Sequence, residues 1–220
     1  MGLTLSANTL IGGGFVLSPT QKFQSFDTHE VETKFLGETE TFDLGEGDFV
    51  NTRLSGYQLE GKVRHVFGSG ISLGGDADVG YATPRLSGKR TDTIFFDFNA
   101  DLAVGYAVVN SDKFILIPSA LAGFQYAYSN IGTLLTNTDS DADETTGQLL
   151  AFEFGGELLA NYRFTPKFGV YVACKILKSI GIEKDELKFN VEDQTATLTD
   201  TFRGTSTFTI KPSAGITFNI

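Results

Sequence analysis

The chain has 220 residues with 25 Gly, 20 Phe, 7 Tyr, no Trp and a single Cys, and its formal net charge is -10. The length fits one domain, residues 1–220, and the acidity excludes the basic footprint that a nucleic-acid partner needs. One cysteine excludes an intramolecular disulfide, and no apolar run approaches the 18 residues of a transmembrane helix.

Leu3, Leu5, Ala7, Ile11, Phe15 and Leu17 share one face of a loosely alternating first segment, opposite Thr4, Ser6, Asn8, Gly12 and Gly14. The run Gly12-Gly13-Gly14 predicts a bend or bulge. Residues 18–52 follow as a long acidic connection. Within it Glu30 to Phe35 and Thr39 to Leu44 pair as a hairpin too polar to cross lipid, or else raise a count of eight strands to ten.

From Arg53 the period of two becomes clear. Tyr57, Leu59, Gly61 and Val63 alternate with Gln58, Glu60, Lys62 and Arg64, and a short turn falls at Gly68. Leu73, Ala77, Val79 and Tyr81 then oppose Ser72, Asp76 and Asp78. After a polar connection over 84–92, Ile94 to Val108 sets Phe96, Phe98, Leu102 and Val104 against Asp97, Asn99 and Asp101.

Asn110-Ser111-Asp112 is a tight turn. Phe114 to Tyr128 carries the next apolar stripe, and Pro118, which lacks a donor, predicts a local bulge. A polar connection over 130–148 leads to Leu150–Tyr162, where Phe152, Phe154 and Leu158 oppose Glu153, Glu157 and, just beyond, Arg163. Thr165-Pro166-Lys167 turns the chain into Phe168–Ile176, opposite Gly169, Tyr171, Ala173 and Lys175. Cys174 belongs to the apolar side there, as a small buried or lipid-facing residue. A last excursion, 178–204, precedes the cleanest alternation of all. Phe208, Ile210, Pro212, Ala214, Ile216, Phe218 and Ile220 are apolar, and Thr207, Thr209, Lys211, Ser213, Thr217 and Asn219 are polar.

Eight such segments, short turns alternating with long connections, and aromatics near strand ends predict an all-β, membrane-spanning, antiparallel up-and-down barrel. A soluble lipocalin-like barrel alternates too, with its apolar face inward. The small residues on the polar face suit a confined lumen better than a solvated surface. No signal peptide is visible, so this reading takes a native signal as removed and Met1 as an added start.

The polar face collects Glu60, Lys62, Arg64, Asp76, Asp78, Asp97, Asp101, Glu153, Glu157, Arg163, Lys175 and Lys211. In a narrow lumen these groups either pair into a plug or line a polar conduit. Arg64 and Lys211 are expected to bridge to Glu60, Glu153 or Asp97. Catalysis is not expected: His29 lies in the first long connection, His65 lies beside a turn, and neither neighbours a Ser/Asp constellation. Asp139-Ser140-Asp141-Ala142-Asp143 suggests a calcium loop, but Glu144 and Leu150 stand where that loop needs Gly and Glu. No catalytic, cofactor or metal residue is assigned.

With these strands in place, the chain resembles the small OmpA/OmpX/OmpW and opacity-type outer-membrane barrels over nearly its whole length. The final strand is similar to their C-terminal assembly signal, with Ile220 where Phe is usual. The resemblance implies the bacterial outer membrane, contact with its lipid, and recognition by the barrel-assembly machinery through Phe208, Ile216, Phe218 and Ile220. Two roles follow as expectations: an anchor whose acidic loops meet host surface molecules or envelope components, or a narrow passive pore.

Overall fold

Strand-compatible alternation leaves a chain with one greasy and one polar face, and such a ribbon satisfies both faces by closing on itself. The computed structural model describes residues 8–17, 19–35, 38–48, 53–86, 89–90, 94–130, 142–182, 185–191 and 196–220. Eight strands form the closed wall: β1 (Asn8–Val16), β2 (Arg53–Val66), β3 (Ile71–Leu86), β4 (Ile94–Tyr106), β5 (Phe114–Asn130), β6 (Ala142–Arg163), β7 (Phe168–Gly181) and β8 (Ser206–Asn219). Each pairs antiparallel with the next, and β8 returns to β1. The architecture is that of an outer-membrane β-barrel. Leu3, Leu5 and Ala7, placed on the first strand from sequence, lie outside the described residues.

The apolar side chains face out. Leu102, Val172 and Ile216 are 73%, 60% and 71% exposed, whereas Lys62, Arg64, Lys175 and Lys211 are buried within the lumen. A polar interior behind a greasy exterior is the inverse of a soluble barrel, and it suits a wall surrounded by hydrocarbon. Aromatic rings collect at two levels. Tyr57, Tyr81, Phe96 and Tyr128 stand in one ladder row across four strands. Phe67, Tyr106, Phe164 and Phe168 ring the opposite end. From Tyr57 to Phe67, ten steps of about 3.3 Å tilted by about 40° rise about 25 Å, the height of a lipid-facing band.

At one end the connections are tight. Phe67 N–H donates to Ile71 O at 2.8 Å, and Gly70 takes φ of 88°, which favours glycine. Ser111 N–H donates to Phe114 O at 2.9 Å, and Phe164 N–H donates to Phe168 O at 3.2 Å.

Three local expectations fare differently in the fold. The bulge expected at Gly12-Gly13-Gly14 is absent: the ladders to β2 and β8 run through these residues without a shift. Glycine is there for clearance, because a Cβ on Gly14 would lie 2.5 Å from the Tyr171 hydroxyl and one on Gly12 would lie 3.2 Å from its ring. The bulge expected at Pro118 is present across the strand pair. Ser119 pairs with Gly105 but Leu116 with Val109, so the neighbouring strand carries one extra residue opposite the proline.

The third difference concerns the long connections, which sequence analysis reads as polar loops. Beyond Val16 the chain resumes as Thr20–Phe26, pairing with β8 and β2 one residue out of register, so the first wall strand continues past a short interruption. The hairpin of Thr28–Phe35 and Glu38–Asp43 exists, but it adds no staves to the wall. It joins Ala196–Arg203, which pairs with Asp185–Val191, which pairs with the upper part of β6. These strands form a β-crown at the long-connection end. Backbone groups that a loop would leave to water are satisfied there by ladders, which is why acidic, weakly apolar sequence still becomes strand.

Candidate functional site

The lumen is organised in tiers. Toward the short-turn end, Val66, Ala107, Ile115, Ile117, Leu159, Tyr171 and Ala173 pack as an apolar floor. Sequence reading by strict alternation misses this floor. Its signal is the run Phe114-Ile115-Leu116-Ile117-Pro118, apolar on both faces.

Above the floor lies an ion-pair lattice. Lys62 Nζ is 2.5 Å from Glu157 Oε1 and 3.2 Å from Glu60 Oε1. Arg64 donates to both Asp76 oxygens at 2.7 and 2.8 Å and to Glu157 Oε2 at 2.5 Å. Its ladder partner is Gly74, which leaves room for the guanidinium to fold diagonally onto Asp76. Lys175 Nζ lies 3.3 Å from Glu60, 3.2 Å from Asp76, 3.1 Å from Asp78 and 3.5 Å from Asp101.

Lys211, the direct ladder neighbour of Lys175, reaches Asp78 Oδ2 at 3.5 Å. The bridges expected from Arg64 and Lys211 to Glu60, Glu153 or Asp97 are therefore replaced. Arg64 takes Asp76 and Glu157, and Lys211 takes Asp78.

Arg163 does not join this lattice. It sits half-buried where β6 ends, and its guanidinium donates to the Ser111 carbonyl across the short-turn end. There it lines a cleft of about 420 Å³ with Asn110, Ser111, Asp112 and Lys113. An arginine beyond the floor lies away from the lattice acids, so it caps a turn instead, beside Asp112.

Toward the crown, amides replace cations. Gln58 donates to Asp97, as does Gln125 at 3.1 Å. Gln125 and Gln21 exchange hydrogen bonds at 3.1 Å, and Gln21 donates to Thr207 at 3.1 Å. Gln21 escapes sequence reading because it lies beyond Pro19, in a segment whose sequence reads as a loop. Glu153 is fully buried, and neither of its oxygens has a hydrogen-bond partner among the described residues.

Carboxylate oxygens of Glu60, Asp76 and Glu157 lie within 4.8 Å of one another, a spacing that could suit a metal. Lys62, Arg64 and Lys175 already answer them, so the group reads as an ion-pair node. His65 Nδ1 is 2.8 Å from Thr9 Oγ1, and the ring meets Phe67 edge-on at 4.5 Å between centroids. The His29 side chain and residues 139–141 of the acidic run lie outside the described residues; from Ala142 the chain is already β6. Cys174 is exposed on the outer face.

No family model matches the chain, and no curated protein matches it. Among solved structures it is similar to the outer membrane protein OprG from Pseudomonas aeruginosa, at 14% identity and a TM-score of 0.47, covering 98% of this chain and 96% of that one. It is similar to Ail, the attachment invasion locus protein of Yersinia pestis, at 11% identity and a TM-score of 0.39, covering 98% and 99%. Neisserial surface protein A is similar at 11% identity and a TM-score of 0.42, covering 96% of each chain.

Proposed function

We propose that this chain is an outer-membrane anchor with a closed lumen, presenting an acidic β-crown at the cell exterior for contact with host or envelope molecules. The observation that carries this reading is the filled interior. Arg64, Lys175 and Glu153 have no solvent-accessible surface, Lys211 has 1%, and an apolar floor lies beneath them. A pore needs a continuous hydrated path, whereas a packed lattice rigidifies a scaffold.

The crown supplies the other half of the argument. Short turns belong to the periplasmic end of such barrels and long connections to the outside. Outside, Glu32, Glu38, Glu40 and Asp43 are exposed on paired strands, and Asp27 and Glu46 are exposed in the bends beside them. Recognition surfaces concentrate on such excursions from a rigid scaffold. The role is one of binding, without catalysis.

The test is planar-bilayer conductance of the refolded protein, run beside cell- or matrix-binding by the same preparation. The expected result is silence in the bilayer and binding that disappears when residues 28–43 are excised. Reproducible channels that survive this excision would overturn the anchor reading in favour of a narrow pore.

A further inference from the structure

The lumen charges separate into two populations. Glu60, Asp76, Asp78 and Glu157 are matched by Lys62, Arg64, Lys175 and Lys211, four against four, and every member has an ion-pair partner within 3.5 Å. Asp97, Asp101 and Glu153 add no further base, so seven acids share four bases, and Lys175 and Lys211 are the cations that face this second group. Asp97 is met by the amides of Gln58 and Gln125. Asp101 has only Lys175 at 3.5 Å on Oδ2, and its Oδ1 is unmet. Glu153 has no hydrogen-bond donor at either oxygen among the described residues.

These two acids converge on one point. Asp101 on β4 and Glu153 on β6 are both ladder partners of Gly123 on β5. The unmet Asp101 Oδ1 leans over that glycine, 2.5 Å from where a Cβ would stand. The two residues thus flank one glycine, on either side of β5. The preceding inward residue on β4 is Asn99, fully buried, with neither its amide oxygen nor its amide nitrogen met among the described residues. Carboxylates in excess of cations thus gather where solvent does not reach, and a positive partner would answer them. Two facing carboxylates repel strongly in such a place. Carboxylate and amide oxygens without nitrogen or sulfur form a hard-cation donor set, and Ca²⁺ tolerates irregular arrangements of it.

We propose that Asp101 and Glu153, meeting over Gly123, bind a hard divalent cation of the Ca²⁺ type inside the barrel, with Asn99 contributing a neutral oxygen. The site differs from the Glu60–Asp76–Glu157 node, whose acids are each paired with lysine or arginine at 3.3 Å or less, whereas Glu153 has no ion pair among the described residues. It is independent of whether the crown binds a host molecule.

The experiment uses full-length refolded protein in detergent micelles. Thermal unfolding is followed with added Ca²⁺ or with chelator, and bound calcium is counted by equilibrium dialysis. The expected result is one retained Ca²⁺ per chain and a saturable rise in Tm. Glu153→Gln should abolish both while unfolding no earlier than wild type in chelator, since it removes an uncompensated charge at nearly constant shape. Asp101→Asn is the second variant and should behave alike. Replacing Asp139, Asp141 and Asp143 together by Asn should leave the response intact.

A wild type indifferent to Ca²⁺, a Glu153→Gln protein that still responds, or a response that follows the 139–143 run would each overturn the site. So would an alkaline loss of stability that Ca²⁺ does not relieve and Glu153→Gln removes. That result would put a shared proton, not a metal, between carboxyls faced by Asp97, Lys175 and Lys211.

Discussion

The Tyr171 hydroxyl donates to Glu60 Oε1 at 2.8 Å across two intervening strands, because the ladder positions between them are Gly215 and Gly14. The ring lies flat in that gap, with Lys62 Nζ 4.9 Å from its centroid. A side chain at either glycine would occupy the ring's place. Gly14→Ala is expected to destabilise the barrel by about 1–3 kcal/mol, the usual range for overpacking. Tyr171→Phe, which loses only the hydrogen bond to a charged acceptor, should cost about 1.5–3 kcal/mol. The telling comparison is a double-mutant cycle with Tyr171→Ala, read by urea unfolding in micelles. The penalty of Gly12→Ala should shrink in that background, since its Cβ meets the Tyr171 ring and the Lys62 stem. The Gly14→Ala penalty should persist in part, because that Cβ also meets the Ala214 carbonyl.

Arg64 holds two acids at once, and Lys211 shares one with Lys175. Removing one partner of a buried pair leaves an uncompensated charge, which costs about 3–5 kcal/mol. Arg64→Met should fall in that range by denaturant midpoint, and Lys211→Met should cost clearly less. Arg64→Lys should recover only part of the loss, because an ammonium cannot fork onto Asp76 as the guanidinium does. Equal midpoints for Arg64→Met and Lys211→Met would contradict this account of the lattice.

Much of the wall was legible because alternation is a local property: β7 reads outward-inward without interruption from Phe168 to Ile180. The lumen membership of Lys62, Arg64 and Lys175 follows from the same parity. Partner choice does not, because it depends on which residues face one another across strands distant in sequence, such as Arg64 with Glu157. Nor does parity reveal the floor, since Ile115 and Ile117 face inward as apolar residues where alternation leads one to expect polar ones. The crown was hidden for a third reason. Its strands gain stability from ladders to other connections, 28–35 with 196–203, and neither segment carries the apolar stripe that marks a strand on its own.

The crown's continuity gives a prediction about those external segments. Ala196–Arg203 is flanked by Thr28–Phe35 on one side and Asp185–Val191 on the other. Deleting residues 28–43 exposes one edge of that strand, and local opening becomes easier while the wall keeps its own ladders. Limited proteolysis should then cut within 185–203 faster than in the intact protein. Unheated gel mobility, which reports the closed barrel, should stay unchanged. A deletion that abolished the folded mobility would make the hairpin part of the wall's stability and refute this division.

The lipid-facing band can be tested by depth. Val172 lies near the middle of β7 and Leu102 near the middle of its stretch of β4, both outward, whereas Phe168 lies at the aromatic ring of the short-turn end. A cation at the bilayer midplane loses its hydration and costs about 2–4 kcal/mol, falling to about 0–1 kcal/mol near the interface, where a long side chain reaches water. Val172→Arg and Leu102→Arg should therefore destabilise refolding into liposomes by the larger amount, and Phe168→Arg by the smaller apart from its lost packing on Phe218, 5.3 Å away between centroids. In a soluble barrel the same outward arginines would be nearly neutral, as surface substitutions usually are. Substitutions that stay neutral at Val172 and Leu102 would thus refute immersion of this face in hydrocarbon, whatever the closure of the barrel.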